Sequence, residues 1–413
     1  MQLGRSWEES SQKKFHGGGV SILTVCTTFH KVSCANLLVV PITGTVTALL
    51  FFFLHLDNPR TPVWDGLKAV DWAGSLLIVG GTLMLLLGLE FGGVTYPWGS
   101  ATVICLILFG IVVACLFVHN ERKFARYPIM PTRLFNNISS IACFGVCFCH
   151  GFAFMAGTYY LPLYFQAVLG ATPLLSGVYL IPFALSLSLV SGVTGVYIKK
   201  TGKYLPPIWF GMTVLTLGMG LFIDLGSNHN WAKIIIIQIV AGIGVGPNFQ
   251  SPLIALQSKI APQDIATATA TFGFIRNLST SISVVIGSVV FQNEMNKKSA
   301  RLIAGLGPEL AGRLSGGSAG ANVDIVRGLP PAQRTIARQA FYESLQVMWI
   351  LYVCFSAFGL VISLFIGNHV LKKDHQVTKT GLEAEEAKRQ ALQNNKQRET
   401  LRTSREVVSK EEV

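Results

Sequence analysis

The chain has 413 residues, of which 51% are hydrophobic and 13% charged, with a formal net charge of +12. Soluble domains carry about a quarter charged residues, so this balance excludes an ordinary soluble fold and predicts an all-α polytopic membrane protein. The excess of Lys and Arg does not read as a nucleic-acid footprint, because it lies in short loops between apolar runs and in the C-terminal tail.

Residues 1–36 form an atypical N-terminal segment: MQLGRSWEESSQKK is polar, and the apolar run at 20–29 is shorter than the ~20 residues a spanning helix needs. No small-x-small cleavage site follows that would make it a secretory signal. Nine stretches are then long and apolar enough to span: 37–55, 72–90, 101–119, 141–165, 175–198, 207–225, 233–256, 269–291 and 345–368. Loops 56–71, 120–140, 199–206 and 257–268 hold ten Lys and Arg, whereas 91–100, 166–174 and 226–232 hold none. The positive-inside rule therefore expects the first set in the cytoplasm and the second outside. Loop 292–344 belongs to the outer set despite Lys297, Lys298, Arg301, Arg313, Arg327, Arg334 and Arg338; its GRLSGGSAGAN centre predicts flexibility, and ARQAFYESLQVMW reads as a helix running into the last span. The nine-span count puts the basic start of the chain outside, which suggests that preceding spans are absent. Residues 369–413 read as a charged, solvated cytoplasmic tail.

Polar residues inside spans are the candidates for function, because freed backbone and polar groups in lipid must face neighbouring helices or a wet cavity. The densest set is GTYYLPLYFQAVLGATPLLSGVYLIP, residues 157–182, with Tyr159, Tyr160, Pro162, Tyr164, Gln166 and Pro182. An interfacial aromatic belt with prolines at span ends is the alternative. Arg276 lies a few residues into the eighth span, as a pathway residue or as a side chain snorkelling to headgroups. Gly242, Gly244 and Gly246 alternate ahead of Pro247, which reads as close helix packing followed by a break that leaves Asn248 and Gln250 as polar groups at depth. His150 is the histidine well inside a span, a candidate proton-titrating group or a hydrogen-bonded packing residue. Glu90 and Asp224 fall at outer span ends. Eight scattered cysteines, with Cys143, Cys147 and Cys149 inside one span, read as packing residues. No metal set, nucleotide loop or activated nucleophile is expected, nor any cofactor, and the chain does not read as an enzyme.

Seven segments taken together carry a family resemblance: FFFLHLDNPRTP, VDWAGS, EFGGVTYPW, ERKFARYPIMPTRLFNN, YYLPLYFQAVLGATPLLSGVYLIP, AGIGVGPNFQSPLIALQ and FIRNLSTSISVVIGSVVFQN. In this order and spacing the chain resembles the fungal 14-spanner drug:proton antiporters of the major facilitator superfamily, from about Thr45 to Lys373. The resemblance implies the major facilitator fold, with residues 37–119 matching the family's sixth span and central pair. Residues 120–140 become a cytoplasmic loop and 141–368 the C-terminal six-helix half. The family's first five spans, with their acidic, arginine and antiport motifs, have no counterpart, so an N-terminally truncated member is expected. GVYIKKTGKY resembles the superfamily loop motif at Gly195, Gly202 and Lys203, departing from it at Lys199, where the motif has an acid.

The implied function is export of small, largely apolar organic compounds, drugs or toxins, in exchange for protons. Tyr159, Tyr160, Tyr164, Gln166, Asn248, Gln250 and Arg276 would line the substrate pathway. Partners would then be a small-molecule substrate, protons and the lipid bilayer, with no nucleic acid. The expected location is the plasma membrane, with the vacuolar membrane as the alternative. Two rivals stand beside this reading: a non-transporting remnant or interaction partner of a full-length transporter, and an iron-chelate or other small-solute carrier of the same fold.

Overall fold

The computed structural model describes residues 70–368, apart from 94, 125–127, 262–263, 317–318 and 321, together with residues 41, 43–49, 64, 67 and 68. Residues 1–60 and 61–413 form two separate compact units. In the first, 43–49 is helical and exposed, inside the expected span 37–55. The rest of that span, the segment 1–36 and the tail 369–413 lie outside the described residues.

Among the described residues of the second unit, eight helices are long and apolar enough to cross a membrane. They are α1 (Trp72–Phe91), α2 (Ala101–Lys123), α3 (Ile138–Ala167), α4 (Pro173–Thr201), α5 (Leu205–Phe222), α6 (Trp231–Gln257), α7 (Ile265–Lys297) and, at the end, Pro331–Ser363. Each coincides with one of the expected spans. Their starts are capped as the local sequence dictates, because the first amides of a helix have no internal partner. Asp71 accepts from the Gly74 amide at 2.8 Å, Asn137 from Ser139 at 2.9 Å, and Thr172 from Leu175 at 3.2 Å. Gly202, at φ +68°, closes α4 in the left-handed conformation that glycine tolerates best.

The long interleaved loop has helical flanks. Its flanks fold into α8 (Ser299–Leu306), α9 (Pro308–Arg313) and α10 (Val323–Gly328), and α11 begins at Pro331. α7 and α11 have 33 residues each, about 50 Å of helix against ~30 Å of hydrocarbon. At that length they exceed one membrane span, and the short helices α8 and α10 pack on α11 as a cap. Leu302, Leu306, Leu314, Val326 and Leu329 are buried in it, which gives the cap an apolar core of its own. Its basic residues are paired locally: Lys297 with Glu294, Arg301 with Glu343, Arg313 with Glu309, and Arg327 with Asp324.

Within the bundle α3 is the hub, packed against α7, α11 and the lower part of α6. α5 packs on α6 and α11, and α4 packs chiefly on α6. α1 and α2 form a pair through small residues: a Cβ on Gly81 would lie 3.3 Å from the Ala114 amide, and one on Gly110 would lie 2.8 Å from Leu85. α1 also touches α7.

Candidate functional site

The site is a break in α6. The helix runs regularly through Val245, narrows to a 3-10 turn at Gly246–Phe249, and resumes at Ser251. Pro247 causes the break, because it has no amide to give to the preceding turn. The three glycines ahead of it divide between two neighbours. A Cβ on Gly242 would lie 2.6 Å from Phe183 O and one on Gly246 2.8 Å from Leu187 O, both on α4. A Cβ on Gly244 would collide with the Leu215 backbone on α5. Alternation thus wedges the upper segment between two backbones.

A broken helix at membrane depth exposes carbonyls, each costing several kcal/mol if left without a donor. Here side chains supply the donors. His150 Nε2 donates to Val245 O at 3.0 Å, Ser251 Oγ to Pro247 O at 2.6 Å, and Asn248 Nδ2 reaches Gly244 O at 3.5 Å. Arg276 Nη2 donates to Phe249 O. The break is therefore stapled to α3 by His150 and to α7 by Arg276. Both residues also meet the Phe249 ring: His150 lies edge-on at 5.4 Å, and the Arg276 guanidinium sits 5.1 Å from the centroids of Phe249 and Phe272. Two aromatic faces plus a carbonyl are the surroundings a half-buried cation needs. Nδ1 of His150, Oδ1 of Asn248 and Nε of Arg276 find no hydrogen-bond partner among the described residues. Gln250, one residue past the break, is exposed.

The polar stretch 157–182 divides sharply. Tyr159 is exposed, whereas Tyr160 and Tyr164 are buried and tie helices together. Tyr160 donates to Val284 O at 2.7 Å and Tyr164 to Gly226 O at 2.9 Å. Gln166 Nε2 donates to Ser176 Oγ at 3.2 Å, holding the α3–α4 turn. Pro162 lies inside α3, and Pro182 sits in the first turn of the regular part of α4.

Sequence reasoning missed the seam between α3 and α7. Ser283 Oγ donates to Phe152 O at 2.7 Å, Ser279 Oγ to Phe148 O, and Tyr352 to Ser283 O at 2.8 Å. Its signal was the four-residue spacing of Ser279, Ser283 and Gly287, which puts small groups on one face. The Arg133–Asp264 ion pair at 2.6 Å was also missed. In the loop motif, Gly195 is exposed with open space about it, while the Lys203 amide donates to Thr201 Oγ1 at 3.2 Å. Among the described residues no three His, Cys, Asp or Glu side chains cluster as metal ligands.

Comparison with known proteins gives a family. The sequence profile of the Major Facilitator Superfamily matches residues 67–284. The MFS-type transporter ppz2 of Metarhizium majus is 51% identical over 350 residues, 85% of this chain and 60% of that protein. The efflux pump dotC of Dothistroma septosporum is 51% identical over 345 residues, 84% of this chain and 59% of the pump. An MFS-type transporter of Aspergillus terreus is 41% identical over 355 residues, 85% and 64% of the two chains. The chain thus spans about 60% of the length of the first two of these relatives. A solved bacterial homologue of the human lysosomal transporter Spinster, inward-facing and occupied, aligns at 16% identity with a TM-score of 0.43, over 73% of this chain and 64% of that one.

Proposed function

The chain belongs to the major facilitator superfamily, and from that premise we propose that it works in the export of small, largely apolar organic compounds across a membrane, in exchange for protons. The observation that carries the proposal is the stapled break of α6. A protein that only filled lipid would have no use for a proline-broken helix whose carbonyls are met by His150 and Arg276 from two neighbouring helices. Relatives described as efflux pumps and MFS-type transporters support the same reading.

In this scheme Tyr159, Gln250 and Arg276 meet substrate, and His150 carries the coupling proton on Nδ1, which has no hydrogen-bond partner among the described residues. Asn248, Tyr160, Tyr164 and Gln166 hold the wall in place from behind. The glycines at 242, 244 and 246 with Pro247 fix the upper segment, so that motion falls on the lower one, Ser251–Gln257. The end bearing Arg133, Lys199, Lys200, Lys203 and Lys259 faces the cytoplasm. The plasma membrane is the proposed location.

The test is efflux from proteoliposomes containing the 413-residue chain, under an imposed proton gradient, against a panel of neutral apolar fluorophores. Export that stops when a protonophore is added supports the reading; no gradient-dependent export of any panel member contradicts it. The open face of α4 favours a second reading, in which the bundle works only against another polypeptide. Leu185, Leu189 and Val193 are exposed along it, and co-expressed full-length relatives retained on the purified chain would support that alternative.

A further inference from the structure

Away from the α6 break, the α1–α2 pair carries a groove of its own. An open groove of about 500 Å³ runs along one face of α2, lined by Leu85, Ile111, Cys115 and Val118 and ending at His119 and Arg122. Beside it, Gly81, Gly110 and Ala114 let the two helices approach closely.

Its dimensions and charge point to one class of occupant. From Ile111 to Arg122 the helix rises about 16 Å, close to half of a ~30 Å hydrocarbon core, which is the depth of one leaflet. The apolar end therefore lies near the midplane and the basic end at headgroup level. Asn120 and Glu121 of that end are already engaged. Asn120 donates to Asp71 at 3.0 Å, and the Glu121 carboxylate accepts from the Ile129 and Met130 amides at 3.0 and 3.2 Å. His119, Arg122 and Lys123 are exposed, and Arg122 has neither ion pair nor hydrogen bond to a described residue.

We propose that this groove is a binding site for an anionic phospholipid, with one acyl chain along Ile111, Cys115 and Val118 and the phosphate on Arg122. A zwitterionic lipid would fit the groove equally well. The exposed guanidinium selects for net negative charge.

The experiment is native mass spectrometry of the full chain purified from membranes of phosphatidylcholine with a minor fraction of phosphatidylserine. The wild type should retain phosphatidylserine about five-fold above its bulk fraction, the effect of one basic side chain at a membrane surface. Arg122→Gln should bring retention down to the bulk ratio. Cys115→Phe, which fills the groove without touching the charge, should lower the number of retained lipids. Lys200→Gln, at the same end of the bundle on α4, should leave the enrichment intact. Retained lipid that mirrors the bulk mixture, enrichment that survives Arg122→Gln, or equal loss in Lys200→Gln would each overturn the proposal. None of these outcomes depends on whether the protein transports.

Discussion

α3 and α4 are consecutive, nearly equal in length at 30 and 29 residues, and nearly equal in mean hydropathy at 1.8 and 1.9. Yet 67% of the apolar window of α3 is buried inside the protein, against 17% for α4. Hydropathy decides that both helices leave water. It does not decide whether the apolar surface meets protein or lipid, because a lipid tail is as apolar as leucine. What separates them is polar and small content on the contact faces. α3 offers its own carbonyls to Ser279 and Ser283, sends Tyr160 to a carbonyl of α7, and brings His150 to the break in α6. α4 touches α6 through Gly242 and Gly246 and leaves Leu185, Leu189 and Val193 on the outside.

The comparison can be broken first at Phe152, fully buried on α3 and stacked on Phe355 at 4.0 Å. Phe152→Ala should cost about 3–5 kcal/mol, read as a large drop in the melting temperature of the detergent-solubilised protein. Gly244→Val should cost at least ~1–3 kcal/mol by overpacking against the Leu215 backbone, and should appear as a reduced folded fraction in membranes. Tyr160→Phe removes one buried hydrogen bond and leaves Val284 O short of a donor, a loss of about 1–3 kcal/mol on the same melting assay. Leu189→Ala, on the open face of α4, should stay within about 0.5 kcal/mol of wild type. If Leu189→Ala proved as damaging as Phe152→Ala, the face of α4 would be a protein interface and not a lipid-facing surface.

Much of this architecture was legible in the sequence, for a plain reason: about 20 consecutive apolar residues have few alternatives to a spanning helix. Helix ends were less legible. The helical run of residues 337–349 into the last span was expected, but its start at Pro331 and the extension of α7 to Lys297 were not, because polar turns at helix ends follow amphipathic packing and not hydropathy. Flexibility was expected only at the GRLSGGSAGAN centre of the cap, and the short helices on either side of it were not foreseen. Its glycines and arginines dominate the composition, while the few leucines that bury each other are too dispersed to register. At the candidate site, Pro247, the glycines, Arg276 and His150 stood out as residues out of keeping with lipid. Their mutual arrangement did not, since the staple joins Arg276 to Phe249, 27 positions away. Tyr159 and Tyr160 show the limit most clearly. They are adjacent in sequence and alike in chemistry, and a ~100° turn of the helix leaves one exposed and the other buried.

The central claim is that the break in α6, stapled by Arg276, belongs to the transport pathway. The most direct measurement is protonophore-sensitive efflux by the reconstituted protein, wild type against Arg276→Ala and Arg276→Lys, at matched membrane levels. Losing a charge-assisted hydrogen bond and a cation over two rings is worth at least ~1.4 kcal/mol, so Arg276→Ala should export about ten-fold more slowly. Arg276→Lys, which keeps the charge but not the fork, should fall between. Equal efflux rates in all three would contradict the account and make Arg276 an anchor for the membrane surface alone.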